Sequence, residues 1–196
     1  MSSVVLAGSS SGTITVAAPA VAGTNTLTLP ASSGTLATTA TAGKVLQVVQ
    51  TVFTGTQTVA TASNGAYTDI TNLSASITPS STDSKVLILL NVTAMHQSDQ
   101  IFNLKLSGGN SATFIGNSAS SRTRAAAFIT SQFYSAQTAS VQYLDSPSTT
   151  SAITYTPQMG CNVISNISIN YNIISDADVD YITRGASSMI LMEVAG

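Results

Sequence analysis

Few residues in this chain have side chains suited to chemistry, and the two most reactive types occur once each, His96 and Cys161 among 196 residues. A Ser-His-Asp relay needs an imidazole between a hydroxyl and a carboxylate. His96 with Asp99 and any of many serines supplies the types. The relay is defined by geometry, however, and the Gly-x-Ser-x-Gly elbow that presents a nucleophilic serine is absent. Cys161 paired with His96 would make a thiol nucleophile, but no catalytic signature surrounds the cysteine. The expectation is that no residue is catalytic, that His96 ends a strand, and that Cys161 serves as a small buried or interfacial hydrophobe.

Asp176, Asp178 and Asp180 place three carboxylates at alternate positions. In an extended segment they share one side and repel unless solvated or bridged by a cation. A helix-loop-helix calcium loop starts this way, but it needs Gly at its sixth position and Glu at its twelfth, where this chain has Tyr181 and Ser187. A solvated loop beside Arg184 is expected, with no metal and no cofactor. Asn72, Asn91 and Asn166 head glycosylation-type triplets, which arise by chance in a chain this rich in Ser and Thr.

Composition narrows the classes further. Only 7% of residues are charged, against about 25% in an ordinary soluble domain, so the surface is made of Ser, Thr, Asn and Gln. The 43% hydrophobic content is enough for a core. A net charge of −2 gives no basic patch for phosphates, so no nucleic-acid partner is expected. The first eight residues lack the charged start and long apolar run of a secretory signal, and no segment approaches the roughly 20 apolar residues of a membrane helix, so no membrane role is expected.

The elements that would position any site are strands. Lys85 to Met95 is the longest near-continuous apolar run, with Val86, Ile88, Leu90 and Val92 on one face and Leu87 and Leu89 on the other. Both faces are apolar, so something must cover the second. Met189-Ile-Leu-Met-Glu-Val is alike until Glu193, and Leu87, Leu89, Met189 and Leu191 are the expected subunit-interface residues. From Asn166, by contrast, Ile167, Ile169, Tyr171 and Ile173 alternate with Asn166, Ser168, Asn170 and Asn172, which predicts one dry and one wet face and a place in the exposed sheet. Val45 to Thr54 forms a further strand. Asn64-Gly65 is a hairpin signal, with Tyr67 to Thr78 returning and Leu73, Ala75 and Ile77 inward. Ser107-Gly108-Gly109-Asn110 closes the strand that carries Phe102, Leu104 and Leu106. Further strands are expected near 125–134, 140–144, 152–156, 163–173 and 188–194. Eight or so strands separated by turn signals predict an all-β antiparallel sandwich, a jelly roll, over 43–196.

Residues 1–42 read as an extended arm. Ile14 with Val16, Leu27 with Leu29, and Leu36 are its apolar points, and Pro19 and Pro30 end the runs. Strands this short cannot bury enough surface alone, so the arm needs outside partners.

The pattern Thr-x-Thr-x-x-x-Pro-x-x-x-Gly-Thr-Asn-Thr-Leu-Thr-Leu-Pro-x-x-x-Gly-Thr-Leu from Thr13 to Leu36 resembles segments of fibre and other virion structural proteins of tailed bacteriophages. Gly-Lys-Val-Leu-Gln-Val-Val-Gln-Thr from Gly43 and Tyr-Thr-Asp-Ile-Thr-Asn-Leu-Ser-Ala-Ser-Ile-Thr-Pro from Tyr67 are similar to the same modules. The resemblance implies a trimeric, all-β, non-enzymatic particle component located in the virion. The partners expected are two further copies and other capsid or tail proteins. A capsid decoration or head fibre anchored by its arm is the favoured role. A short tail fibre or receptor-binding tip for a host glycan is the alternative, and a depolymerase ranks third.

Overall fold

A computed structural model describes residues 3–7, 10–17, 20–21, 23–24, 44–61, 66–96, 98–111, 114–131, 135–171 and 183–196. The chain divides into two compact units, Met1–Ala42 and Gly43–Gly196.

In the first unit β1 (Ser3–Ala7) and β2 (Thr13–Ala17) form an antiparallel hairpin, with Gly12 at φ +81° in its turn. Val4 lies opposite Val16 and Leu6 opposite Ile14, so four apolar side chains share one face. All four are more than half exposed. An isolated two-stranded ribbon is marginally stable in water, and this one has an uncovered apolar face. Leu27, Leu29 and Leu36 lie outside the described residues.

The second unit is the expected antiparallel sandwich. Its strands are β3 (Val45–Phe53), β4 (Gln57–Thr61), β5 (Tyr67–Asp69), β6 (Ala75–Ile77), β7 (Lys85–Met95), β8 (Gln100–Ser107), β9 (Ala127–Ser131), β10 (Gln137–Asp145), β11 (Ile153–Cys161), β12 (Ser165–Ile169) and β13 (Ser187–Val194). One sheet runs β3-β13-β7-β10, and β12 with β4 continues it beside the end of β7. The other runs from β5 and β6, end to end, through β11 and β8 to β9. Two four-strand-wide antiparallel sheets, linked by chain crossings such as β7 to β8 and β9 to β10, make the jelly-roll arrangement.

The organising strand spans Lys85–Met95 as its composition predicts, flanked by β13 and β10. Val86, Ile88, Leu90, Val92 and Ala94 face inward and are at most 1% exposed. They meet Leu73, Ile77, Phe102, Leu104, Tyr155, Met159 and Ile167 in a single core. Burying a side chain of this size stabilises by about 1.5–3 kcal/mol, so the core accounts for the fold.

Three expectations need correction. Tyr67 to Thr78 is not one strand returning along β3. It breaks into β5, a single 3-10 turn at Thr71–Leu73, and β6, all along β11 in the opposite sheet. Asn64 and Gly65 lie outside the described residues. Secondly, β11 runs through Pro157 instead of stopping near residue 156. A residue's N–H and C=O point to the same side of a strand. The Pro157 carbonyl accepts from Ile70 N–H at 2.8 Å, so its missing N–H falls at the break between β5 and β6. Thirdly, β12 belongs to the sheet of β7, and its expected wet face is only partly wet: Asn166 is exposed, but Ser168 is 0% exposed and Asn170, just past the strand, 1%.

Candidate functional site

The two sheets present outer faces of different character. On the first, inter-strand register lines up Val48, Met192, Leu87 and Leu144 across β3, β13, β7 and β10. At about 4.8 Å per strand this apolar row is roughly 14 Å wide. The next row is Gln50, Ile190, Leu89 and Gln142, and the third Val52, Ser188, Asn91 and Ser140. No charged side chain occurs in these three rows. Val48 is 58%, Val52 52% and Leu144 48% exposed, and contiguous apolar surface of this kind marks an interaction site.

Leu87 and Leu89 lie on this face, as expected from their alternation. Met189 and Leu191 do not. Both are 0% exposed in the core, one step out of phase, so Ile190 and Met192 stand beside Leu89 and Leu87 instead. The sequence pattern is apolar on both faces of β13 and gives no phase. The phase is fixed by Glu193, which points inward at the sandwich rim. There it accepts from Ser80 Oγ at 2.6 Å and Ser80 N–H at 2.7 Å. These bonds hold its carboxyl below the usual carboxylate range, against the opposing effect of burial.

On the second sheet, register lines up Tyr67, Gly160, Asn103 and Phe128 across β5, β11, β8 and β9. Phe128 is 72% exposed. A Cβ on Gly160 would crowd the Ala66 carbonyl at 2.7 Å and the Tyr67 ring at 3.3 Å, so glycine lets the tyrosine lie over β11. The Lys105 ammonium sits 4.1 Å from the centre of that ring, a cation–π contact. Tyr67 Oη donates to the Arg124 carbonyl at 2.8 Å, which ties the 114–126 segment to this face, and burial pushes the phenol above its ordinary value. Gln158 Nε2 donates to Asp69 Oδ1 at 2.6 Å in the adjoining row.

His96 follows β7 and is 2% exposed, packed edge-on to Phe102. The Ser98 backbone N–H, which has only a proton to offer, lies 3.1 Å from Nδ1. The Ser98 carbonyl oxygen lies at the same 3.1 Å from Nδ1, and Nε2 is hydrogen-bonded to Ser165 Oγ, so both ring nitrogens are engaged. His96 thus holds the start of β12 to the end of β7. Cys161 is buried in the core.

Asn170, expected on the wet face, forms a polar lock with Ser187. Asn170, at φ +65°, donates from Nδ2 to the Phe53 and Gly55 carbonyls at 2.8 and 3.0 Å. Its Oδ1 accepts from Ser187 Oγ at 2.7 Å, and that hydroxyl accepts from Thr93 N–H at 3.0 Å. Asp145, also fully buried, accepts from Tyr155 Oη at 2.6 Å, Ser146 N–H at 2.8 Å and Asn110 N–H at 3.1 Å. Burial and this carboxylate push the Tyr155 phenol far up. Asp176, Asp178 and Asp180 lie outside the described residues. Among the described residues no group of three or more potential metal-binding side chains gathers, and no helix is long and apolar enough to cross a membrane.

No protein-family model matches the chain, and no curated protein matches it. Among solved structures, a chain from the structure of infectious bursal disease virus Gx strain is similar over 94% of this chain at 10% identity and a TM-score of 0.41. The match spans 43% of that viral chain.

Proposed function

We propose that this protein is a non-enzymatic structural component of a tailed-phage virion. Its jelly-roll bodies associate as a homotrimer, and its N-terminal arm fastens them to other particle proteins. The observation that carries self-association is the apolar row of Val48, Met192, Leu87 and Leu144 on the outer face of the first sheet. Exposed apolar area of this width is stabilised when a second copy covers it. The arm reading is supported by the hairpin face of Val4, Leu6, Ile14 and Val16, which needs a partner, and by the resemblance of the Thr13 to Leu36 pattern to phage fibre segments. Strand addition to a neighbour would use backbone hydrogen bonds for affinity and alternate side chains for register.

Within the particle a capsid decoration or head-fibre role is favoured. An exposed aromatic at a sheet surface is the one feature that favours the second reading, a short tail fibre or receptor-binding tip for a host glycan, and Phe128 is such a residue. Antibody labelling of intact particles tests the assignment. Signal on heads supports decoration and signal at the tail tip supports the second reading, while particles without signal refute both. Deleting 1–42 should leave a folded body that no longer occupies particles lacking the full-length protein.

A further inference from the structure

The outer face of the second sheet has features that self-association does not use. Phe128 holds an aromatic ring in solvent at 72% exposure, on the short strand β9. Directly across the ladder stands Asn103. It is 6% exposed, and no hydrogen bond to its side chain is found among the described residues. Lys105 follows two residues along β8 on the same face, its backbone about 7 Å from that of Asn103, and its ammonium lies 4.1 Å from the centre of the Tyr67 ring, beside Gly160. Three of the six cationic residues of the chain, Lys105, Arg122 and Arg124, fall within this strand and the loop after it. The acid on this face, Asp69, is engaged by Gln158.

We infer that Phe128, Asn103 and Lys105 form a binding site for an acidic saccharide, one carrying a uronic or sialic acid. The apolar face of a pyranose stacks on the Phe128 ring, as carbon-bound hydrogens do on aromatic faces. A ring hydroxyl meets the Asn103 amide, which can both donate and accept. The carboxylate reaches the Lys105 ammonium, which its cation–π contact already places. A protein partner fits this face less well. Its rows mix an exposed ring, amides, hydroxyls and a charge, whereas the opposite sheet carries the apolar row of Val48, Met192, Leu87 and Leu144 that a second copy would cover. The site rests on the second functional reading, that of a receptor-binding protein.

The test is retention of the full-length protein on an array of oligosaccharides bearing uronic or sialic acid beside their neutral counterparts. Wild type is compared with Phe128→Ala and Lys105→Gln. Both side chains are at the surface, so melting should be unchanged in each. The expected result is binding of acidic glycans by wild type and about tenfold weaker binding by Phe128→Ala, a loss of about 1.4 kcal/mol. Lys105→Gln should lose the preference for acidic over neutral partners. Acidic-glycan binding that neither variant weakens would overturn the site while leaving receptor recognition standing. Retention of no glycan would overturn both. A fall in oligomer mass in Phe128→Ala with glycan binding intact would show that the ring joins copies and would also overturn the site.

Discussion

Replacing Asn170 by aspartate keeps the shape of the side chain and removes its two amide donors. Asp and Asn both tolerate the left-handed backbone that φ +65° requires, so the backbone term cancels. What changes is the lock between β12 and the turn after β3. Two carbonyl oxygens, of Phe53 and Gly55, now face a carboxylate at 2.8 and 3.0 Å in a site that is 1% exposed. Leaving each buried acceptor unpaired costs about 1–3 kcal/mol, and an unpaired buried charge costs several. The net loss is about 3–5 kcal/mol, since a carboxyl that takes up a proton regains one donor. For a domain of this size that lowers the melting temperature by roughly 6–20 °C at pH 7. The loss also carries a pH signature. The folded site raises the pKa of this carboxyl above its unfolded value of about 3.9, so the deficit is smallest below that pH and grows as pH rises through the folded value. Calorimetry from acid to neutral pH reads both. A melting temperature within about 2 °C of wild type at pH 7 would refute the buried lock and return Asn170 to a solvent face.

Three further outcomes follow from the same geometry. Ile88→Asp and Ile169→Asp, each at a 0% exposed core position, should prevent folding, because a buried unpaired carboxylate consumes much of a total stability of about 5–15 kcal/mol; a cooperative melt near that of wild type would contradict this. Met189→Ala should cost about 2–5 kcal/mol in urea titrations while Met192→Ala, one step out of phase on the outer face, costs under about 1; equal losses would contradict the strand phase. Glu193 is held below its unfolded pKa by Ser80, so its contribution is present above the unfolded value and is lost as pH falls through the folded one. Glu193→Gln keeps an oxygen acceptor for both Ser80 bonds and should flatten that acid limb, and an unchanged pH profile would count against it.

The strand skeleton was largely legible because alternation and turn signals are local. Val86, Ile88, Leu90 and Val92 announce an inward face, and Phe102, Leu104 and Leu106 do the same in the opposite sheet. The phase of β13 was not legible, since Met189 to Met192 are all apolar and only the hydrogen bonds of Glu193 to a distant serine fix it. Asn170 and Ser168 look like solvent-facing residues from their types. Their burial arises from long-range contacts, to Phe53 and Met95, that no window of sequence contains. The outer apolar face was half legible: Leu87 and Leu89 stood out, but Val48 and Leu144 join them only through register. Phe128 gave no signal, because an aromatic in a strand pattern is ordinarily a core residue.

The account turns on whether copies of the body meet through the face of Val48, Met192, Leu87 and Leu144. Light scattering of the purified protein at micromolar concentration measures this most directly. It should be run beside a Leu87→Lys, Met192→Lys double variant whose circular dichroism confirms a folded sandwich. The account predicts three times the 19.9 kDa chain mass for wild type and a single chain mass for the variant. A monomeric wild type, or a variant that remains trimeric, would contradict it.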